Sequence, residues 1–261
     1  MSKIRKFKIK NYKKKIKPIL QMQNISKSYG QLNVLRDLNM NIMPGSITGL
    51  LGPNGCGKTT LFQCLLGIIK MDSGKLFINL DGKKNVDIGS MPIHQRCSEN
   101  QIKYIPQYDS LFRNLSVEEN LRAVGEIFLK NRIELNEKIE SLLLEFNLIE
   151  NRKTLAINLS SGQKKKTQIC RALIGNCRIL IMDEPLSAVD PITISMIKDL
   201  IVRLALNKSI TCIVSDHSFE NVLQLADEIK ILSDGHIISE GPPATVMKDS
   251  SAIKHYFGTS Y

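Results

Sequence analysis

The stretch SITGLLGPNGCGKTTLFQCLLG, residues 46–67, runs from an apolar segment through a glycine-rich loop into a second apolar segment. The first segment has the composition of a buried strand, and the second has the length of a helix. Between them, residues 52–59 fit the pattern G-x-x-x-x-G-K-[ST], which binds phosphate where it connects a strand to a helix. A plain glycine turn before a helix is the alternative, but the match in this context predicts a phosphate-binding loop.

Each part of this loop predicts a contact with a nucleoside triphosphate. Glycines at positions 52, 55 and 57 let successive backbone N–H groups point at phosphate oxygens. Lys58 adds a charge for the β and γ phosphates, and the hydroxyl of Thr59 is a predicted Mg²⁺ ligand. The predicted ATP contacts of the loop are Gly52, Pro53, Asn54, Gly55, Cys56, Gly57, Lys58, Thr59 and Thr60.

The second half of the predicted site is ILIMDE, residues 179–184, in which four apolar residues predict a buried strand and two carboxylates follow. Open α/β sheets bind ligands at the C-terminal ends of their strands. Asp183 suits a metal ion, and Glu184 suits the general base that polarises an attacking water. An apolar run ending in Asp-Glu, taken alone, is structural as often as it is catalytic. The phosphate loop in the same chain makes the catalytic interpretation specific.

A third motif, LSSGQKKK at residues 159–166, combines a helix start with an unfavourable charge pattern. Ser160 and Gln163 have the spacing of a capping box, so a helix is predicted to begin here. Lys164, Lys165 and Lys166 then fall in its first turn, where the helix dipole disfavours positive charge. The pattern therefore predicts a negative partner for this helix end.

Strands and helices alternate along the rest of the chain. The patterns predict a first short strand at residues 19–26, a helix at about 191–206 and a hairpin around Asp234-Gly235. A helical region is predicted from residue 117 to about 149. This order predicts an α/β fold with a mainly parallel sheet and a helical lobe. The lobe contains an amphipathic stripe formed by Leu135, Ile139, Leu142, Leu143 and Phe146.

The order of these motifs resembles that of the nucleotide-binding subunits of ABC transporters, over about residues 19–245. The resemblance implies a P-loop NTPase of the ABC cassette type, with a RecA-like core, an antiparallel β subdomain and an inserted α-helical subdomain at about residues 110–175. It also implies ATP hydrolysis, with ATP and Mg²⁺ bound. Residues 1–18 would form a disordered basic leader, and residues 246–261 a tail that could contact a second subunit.

The resemblance also implies roles for residues that are uninformative one at a time. Gln107 in YIPQ matches the glutamine that senses and ligates the metal, and His217 in IVSDH matches the switch histidine at the γ phosphate. Gln107, His217 and Glu184 form the implied catalytic set, and Thr59, Gln107 and Asp183 the implied metal set. The implied ATP contacts outside the phosphate loop are the adenine-stacking Tyr29, the signature residues Ser160, Ser161, Gly162 and Gln163, and the D-loop residue Asp190.

In this family two cassettes pair head to tail, and the signature of one closes on the ATP held by the other. The resemblance therefore implies a homodimer in which the partner's triphosphate is the missing anion. Three consecutive lysines spread over about 200° of a helix, so at most two can face it and the rest would be solvated. Ser161 stands where the family usually has glycine, and a side chain there is expected to narrow the approach to the γ phosphate and to disfavour a positive φ. Activity is expected to survive because serine is small.

Several segments, including YIPQYDSLFRNLSVEENLRAV and the ending IKHYFG, resemble the ATPases of lipopolysaccharide exporters. The subunits of branched-chain amino-acid importers are the alternative, and a soluble ABC ATPase acting on ribosomes or nucleic acid is a more distant one. The exporter resemblance implies two membrane-spanning subunits docked near Gln107, Phe112 and Arg113, at the cytoplasmic face of the inner membrane, and no nucleic acid partner.

Composition agrees with a cytoplasmic protein. The net charge is +11, and residues 1–36 hold eleven basic residues and no acid, so the remainder is formally neutral. This leader could attract anionic lipid or nucleic acid, or be a tail without a partner. No apolar run reaches the roughly 18 residues of a membrane span, and no secretory signal is recognisable. The six cysteines lack metal-binding spacings and are expected to be reduced.

Overall fold

A computed structural model describes residues 17–187 and 189–257, with only the backbone for residue 257. Most of the predicted leader and the end of the predicted tail, residues 1–16 and 258–261, lie outside the described residues, as does position 188 of the D-loop. Strands and helices form a central sheet, a smaller antiparallel sheet and a group of helices.

The central sheet has six strands within the described residues, and its middle is parallel. Alternate residues of its strands enter separate cores, Leu180 and Met182 on one face and Ile179 and Ile181 on the other. Burial on both faces explains why these strands are continuous apolar runs in the sequence. In the order in which they pair, the strands are β10 (His236–Gly241), β9 (Glu228–Ser233), β3 (Ile47–Leu51), β8 (Thr211–Ser215), β7 (Ile179–Asp183) and β6 (Ile102–Ile105).

The smaller sheet pairs four described strands in the order β2 (Leu32–Ile42), β1 (Leu20–Tyr29), β4 (Ser73–Ile78) and β5 (Val86–Asp87). The first strand is longer than the predicted 19–26, because bulges at several points shift its register and interrupt the alternation of apolar residues. A turn at Gly30, with φ 59°, joins it to β2.

The helices fall into two groups. Helices α1 (Lys58–Leu66), α2 (Ile93–Ser98), α6 (Pro191–Asn207), α7 (Phe219–Leu225), α8 (Pro243–Val246) and α9 (Ser250–Ala252) accompany the sheets. Between β6 and β7 lie α3 (Val117–Phe128), α4 (Arg132–Glu145), a 3₁₀ turn (Ala156–Asn158) and α5 (Ser161–Leu173). A π-helical turn (Ile253–Phe257) ends the described chain.

The prediction of one helical region at residues 117–149 is only partly right. The region is two helices that stop at Glu145, and Asn131 separates them because its side chain accepts hydrogen bonds from the N–H groups of Ile133 and Glu134. The predicted apolar stripe is confirmed, since all five of its side chains are buried.

Candidate functional site

The predicted phosphate loop connects the end of β3 to the start of α1. Gly52 must be glycine, because a Cβ there would lie 2.1 Å from the carbonyl oxygen of Leu232. Gly57 precedes the helix with φ 109°, a conformation that other residues rarely adopt. The Nζ of Lys58 donates hydrogen bonds to the carbonyls of Gly52 (2.6 Å) and Pro53 (3.0 Å), so the charge lies inside the curl of the loop.

Two predicted metal ligands meet beside this loop. The Thr59 hydroxyl donates to Oδ2 of Asp183 at 3.2 Å, and the Ser215 hydroxyl donates to Oδ1 at 2.5 Å. Asp183 ends β7 and pairs in register with Ser215 of β8, so the parallel sheet itself brings them together. Tyr104 donates to Oδ2 at 3.3 Å, and burial together with the charge of Asp183 raises the pKa of its phenol. The group offers a carboxylate and a hydroxyl, the oxygen ligands that Mg²⁺ uses with phosphates.

Glu184 is the centre of the predicted catalytic set. Its side chain is buried, accepts a hydrogen bond from Nε2 of Gln107 at 2.6 Å and contacts Nε2 of His217. Its backbone has φ 50°, the left-handed region that non-glycine residues seldom occupy. The Glu184 N–H donates to the carbonyl of Ser215 at 3.0 Å, which fixes this unusual backbone. The structure thus brings the three residues together, but Gln107 bonds to Glu184 rather than to Thr59 or Asp183.

The signature begins α5 as predicted. Ser160 and Gln163 form the capping box, with Ser160 N–H donating to Gln163 Oε1 at 2.9 Å and Gln163 N–H donating to Ser160 Oγ at 3.3 Å. Ser161 is exposed and is the first helical residue, and its φ is not positive. The expectation that a side chain here disfavours the required backbone is therefore wrong, because a helical position needs no positive φ.

The signature packs at Gly162 against the first turn of α6, directly after the D-loop. A Cβ on Gly162 would lie 2.8 Å from Cγ2 of Thr193, so the signature backbone packs directly on the Thr193 side chain. Thr193 in turn donates its hydroxyl to Asp190 at 2.6 Å, and Asp190 caps α6 by accepting from the Thr193 N–H at 3.0 Å. Among the described residues, no hydrogen bond links the signature to the phosphate loop.

The three lysines after the signature are not free in solvent. Lys164 Nζ lies 3.6 Å from Oδ2 of Asp109, and all three side chains are partly buried. Burial lowers the pKa of Lys165, while the charges of Asp109 and then Glu184 oppose that shift. Lys164 therefore has an anionic partner within its own chain, and the expectation that at most two of the lysines face the partner's triphosphate stays a prediction.

Tyr29 lies at the end of β1 with 47% of its surface exposed, as a residue that stacks on a base requires. The ammonium of Lys27 lies 5.5 Å from the centre of its ring. Nearby, a shallow cleft of about 220 Å³ is bordered by Val34, by residues 53–56 of the phosphate loop and by the turn at Asp234. The loop residue Cys56 is buried, and burial raises the pKa of its thiol. Thr60, the remaining loop residue, is half-buried on the first turn of α1.

Sequence reasoning missed Asp216. Its buried carboxylate accepts the N–H of Ser218 at 2.9 Å and of Leu186 at 3.3 Å, which ties the loop of His217 to the segment after Glu184. Burial raises the pKa of Asp216, and these N–H donors oppose the shift. The sequence did offer one signal for Asp216, since this residue stands between a predicted buried strand and His217.

Residues 35–187 match the sequence model of the ABC transporter family. The chain belongs to this family. Its motifs identify it as the ATP-binding subunit, an ATP hydrolase, and ABC ATPases act with membrane-spanning partners. The fold is that of a P-loop ABC cassette.

Among curated proteins, this ABC subunit is similar to the lipopolysaccharide export system ATP-binding protein LptB of Haemophilus influenzae, with 38% identity over 93% of this chain and 98% of that protein. LptB of Escherichia coli is 35% identical over the same shares. A probable ABC transporter ATP-binding protein of Azorhizobium caulinodans is 37% identical over 91% of this chain and 82% of its own length.

The solved structures that this chain resembles belong to the same family. A nucleotide-free ATP-binding cassette from an ABC transporter superposes with a TM-score of 0.82 and 28% identity, over 92% of this chain and 99% of the other. The ADP conformation of an ATP-binding cassette superposes with the same score, identity and coverage. No described helix of this ABC subunit has the length and apolarity to span a membrane. The described residues also contain no cluster of three or more His, Cys, Asp or Glu side chains arranged for a metal.

Proposed function

We propose that this ABC subunit drives the export of lipopolysaccharide, as a homodimer bound beneath two membrane-spanning subunits at the cytoplasmic face of the inner membrane. The observation that carries the proposal is the likeness to LptB of Haemophilus influenzae, which extends over 98% of that protein. The alignment also covers 93% of this chain.

In the proposed hydrolysis, this chain's residues position ATP and a water. The N–H groups of residues 52–59 and Lys58 bind the phosphates. Glu184, held between Gln107 and His217, takes a proton from the attacking water, and His217 binds the γ phosphate. The left-handed backbone of Glu184 aims the carboxylate at this position, which is a reason for strain to persist there.

Thr59 and Asp183 are the proposed Mg²⁺ ligands. Their side-chain oxygens already lie 3.2 Å apart, and Mg²⁺ needs only one or two protein oxygens when phosphates and waters complete its shell. When bound, the ion would neutralise phosphate charge. Gln107 is the proposed third contact, and it would have to leave Glu184 to reach the ion.

The proposed dimer completes each ATP site with the partner's signature. The capping box presents the Ser160 hydroxyl and the first N–H groups of α5 at a helix N-terminus, an arrangement that suits a triphosphate. Ser161 is exposed on that end, so its small side chain can contact the γ phosphate without distorting the helix.

The proposed surface for the membrane subunits lies beside Gln107. Phe112 is 50% exposed, Leu155 41% and Ile157 54%, although all three are large apolar residues. Their segments run side by side, since the Ile157 N–H donates to the carbonyl of Arg113 at 3.1 Å. Such a patch, with Arg113 at its polar edge, suits a short helix with an apolar face.

The test is reconstitution. The full chain is purified in detergent together with the membrane subunits that co-isolate with it, and the complex is placed in proteoliposomes that contain lipopolysaccharide. We expect ATP-dependent removal of lipopolysaccharide from the bilayer, abolished in a matched Glu184→Gln preparation. ATP-dependent leucine uptake without lipopolysaccharide removal would assign the chain to amino-acid import instead, and nuclease-sensitive binding to ribosomes would exclude a transporter.

A further inference from the structure

One face of α5 holds the segment that follows Gln107. Lys164, Gln168 and Arg171 are spaced i, i+4 and i+7, so their side chains fall within about 60° of one another around the helix. Together these three residues form the α5 stripe. The stripe contacts residues 108–110, which lie between the catalytic Gln107 and the proposed docking residue Phe112.

Two of the stripe contacts are a charge pair and an amide hydrogen bond. Lys164 Nζ lies 3.6 Å from Oδ2 of Asp109, and Gln168 Nε2 donates to the carbonyl of Tyr108 at 3.3 Å. The Asp109 carboxylate is further fixed because Oδ1 accepts the N–H of Leu111 at 3.1 Å. The segment is therefore attached to α5 at successive residues.

Arg171 makes the strongest contacts of the stripe. Its guanidinium donates to the carbonyl of Ser110 at 2.6 Å and to the Ser110 hydroxyl at 2.5 Å. Two hydrogen bonds from one charged group to the same residue fix direction as well as distance. The guanidinium carbon also lies 5.7 Å from the centre of the Phe112 ring, within the range of a cation–π contact. Arg171 thus touches the proposed docking surface directly.

The contact of Gln168 is incomplete. Its side chain is only 3% exposed, yet Oε1 has no hydrogen-bond partner in the part of the chain that the structure describes. A buried acceptor without a donor is unfavourable, because it has lost its hydrogen bond to water. A shift of residues 108–110 that supplied an N–H to Oε1 would relieve this penalty.

The other features of α5 make it a rigid connection. Its N-terminus is the signature, and Arg171 lies about 16 Å further along the axis. The opposite face is packed in the core through Ile169, Cys170 and Leu173, all of which are buried. A displacement of the signature must therefore move the stripe with it.

We propose that the α5 stripe, with Arg171 foremost, is a set of positioning residues that transmit closure of the signature on ATP to residues 107–112 and so to the membrane subunits. This inference rests on the proposed function, in that it takes the signature to bind the partner's ATP and Phe112 to face the membrane subunits.

The experiment uses a fluorescent reporter within residues 108–110. The chain contains no tryptophan, so Tyr108→Trp introduces a single indole, and position 108 tolerates it because Tyr108 is 77% exposed. The background is full-length Glu184→Gln, in which ATP is expected to hold dimers. Dimer formation is followed by size-exclusion chromatography and the segment by indole emission. We expect ATP to produce both dimers and a change in emission. Adding Arg171→Gln should abolish the emission change while dimers still form.

The matched control is Arg122→Gln, which removes an arginine of α3 that pairs with Glu118 at 3.0 Å and should leave the emission change intact. If Arg171→Gln fails to form dimers, Asp109→Asn replaces it and should weaken the emission change at retained dimerisation. The parent is the Glu184→Gln chain that carries Tyr108→Trp. The inference is overturned if Arg171→Gln or Asp109→Asn leaves the ATP-dependent emission change as large as in the parent. It is also overturned if the parent dimerises with ATP and its indole emission does not change. A parent that never dimerises with ATP overturns the proposed composite site instead, and the inference falls with it.

Discussion

Replacing Glu184 by glutamine tests the proposed general base against a well-defined environment. The amide has the size of the carboxylate and can still accept from Gln107, whose Nε2 lies 2.6 Å away, so the local structure should persist. What is lost is the ability to take a proton from water. A general base contributes roughly 10²- to 10⁴-fold, which corresponds to about 3 to 5 kcal/mol of activation free energy. We expect single-turnover hydrolysis, followed by release of labelled phosphate, to fall by that factor.

The same variant should accumulate ATP-bound dimers, because the substitution removes a buried negative charge from the place proposed for the γ phosphate. Glu184→Asp is the matched control, since it keeps the charge but withdraws the carboxylate by about 1.5 Å. It should also lose about 10²-fold in rate, because reach to the water is lost, but it should not accumulate dimers. Hydrolysis by Glu184→Gln within tenfold of the unmodified chain would refute the assignment. Equal dimer accumulation by both variants would refute the electrostatic explanation.

Three further substitutions probe the signature and the proposed stacking of Tyr29 on adenine. Ser161→Gly should preserve or raise steady-state ATPase activity, because the helical position tolerates either residue, and a large loss would mean that the serine makes a needed contact. Gly162→Ala should lower the free energy of unfolding, measured in urea, by about 1–3 kcal/mol, because the added Cβ would lie 2.8 Å from Thr193. Adding Thr193→Ala to this variant should restore most of the lost stability. An unchanged free energy of unfolding in Gly162→Ala would contradict the close contact. Tyr29→Ala should raise the KM for ATP by about 5- to 30-fold with little change in kcat, because stacking of the ring on adenine contributes about 1–2 kcal/mol to binding. Tyr29→Phe keeps the ring and should behave as the unmodified chain.

The parts of the site that are local in sequence were predictable. The phosphate loop follows from one motif, and Asp183 and Glu184 follow from a single strand and its end. The meeting of Asp183 with Thr59 needs only the rule that parallel strands present their C-terminal ends at one edge, which the pairing of β8 with both β3 and β7 satisfies. The roles of Gln107 and His217 came from resemblance alone and stay predictions, while the structure shows both side chains in contact with Glu184.

What could not be predicted depends on contacts between distant segments. The pair of Asp109 and Lys164 joins residues far apart in the chain, so the lysine run had no visible partner in the sequence. The break at Asn131 is a side-chain cap that competes with a continuous helical pattern. The left-handed backbone of Glu184 leaves no signal in composition, since it is imposed by the neighbouring strand.

The composite ATP site is tested most directly by mixing two defective chains. Lys58→Met removes the phosphate-loop charge, whereas Ser160→Asp retains a good helix cap but repels a triphosphate. Each preparation should be inactive by itself. In a randomly mixed dimer population, half the dimers pair one chain of each kind and contain one intact site, so about a quarter of the unmodified ATPase activity should return. An activity no greater than the mean of the two separate preparations would contradict the account.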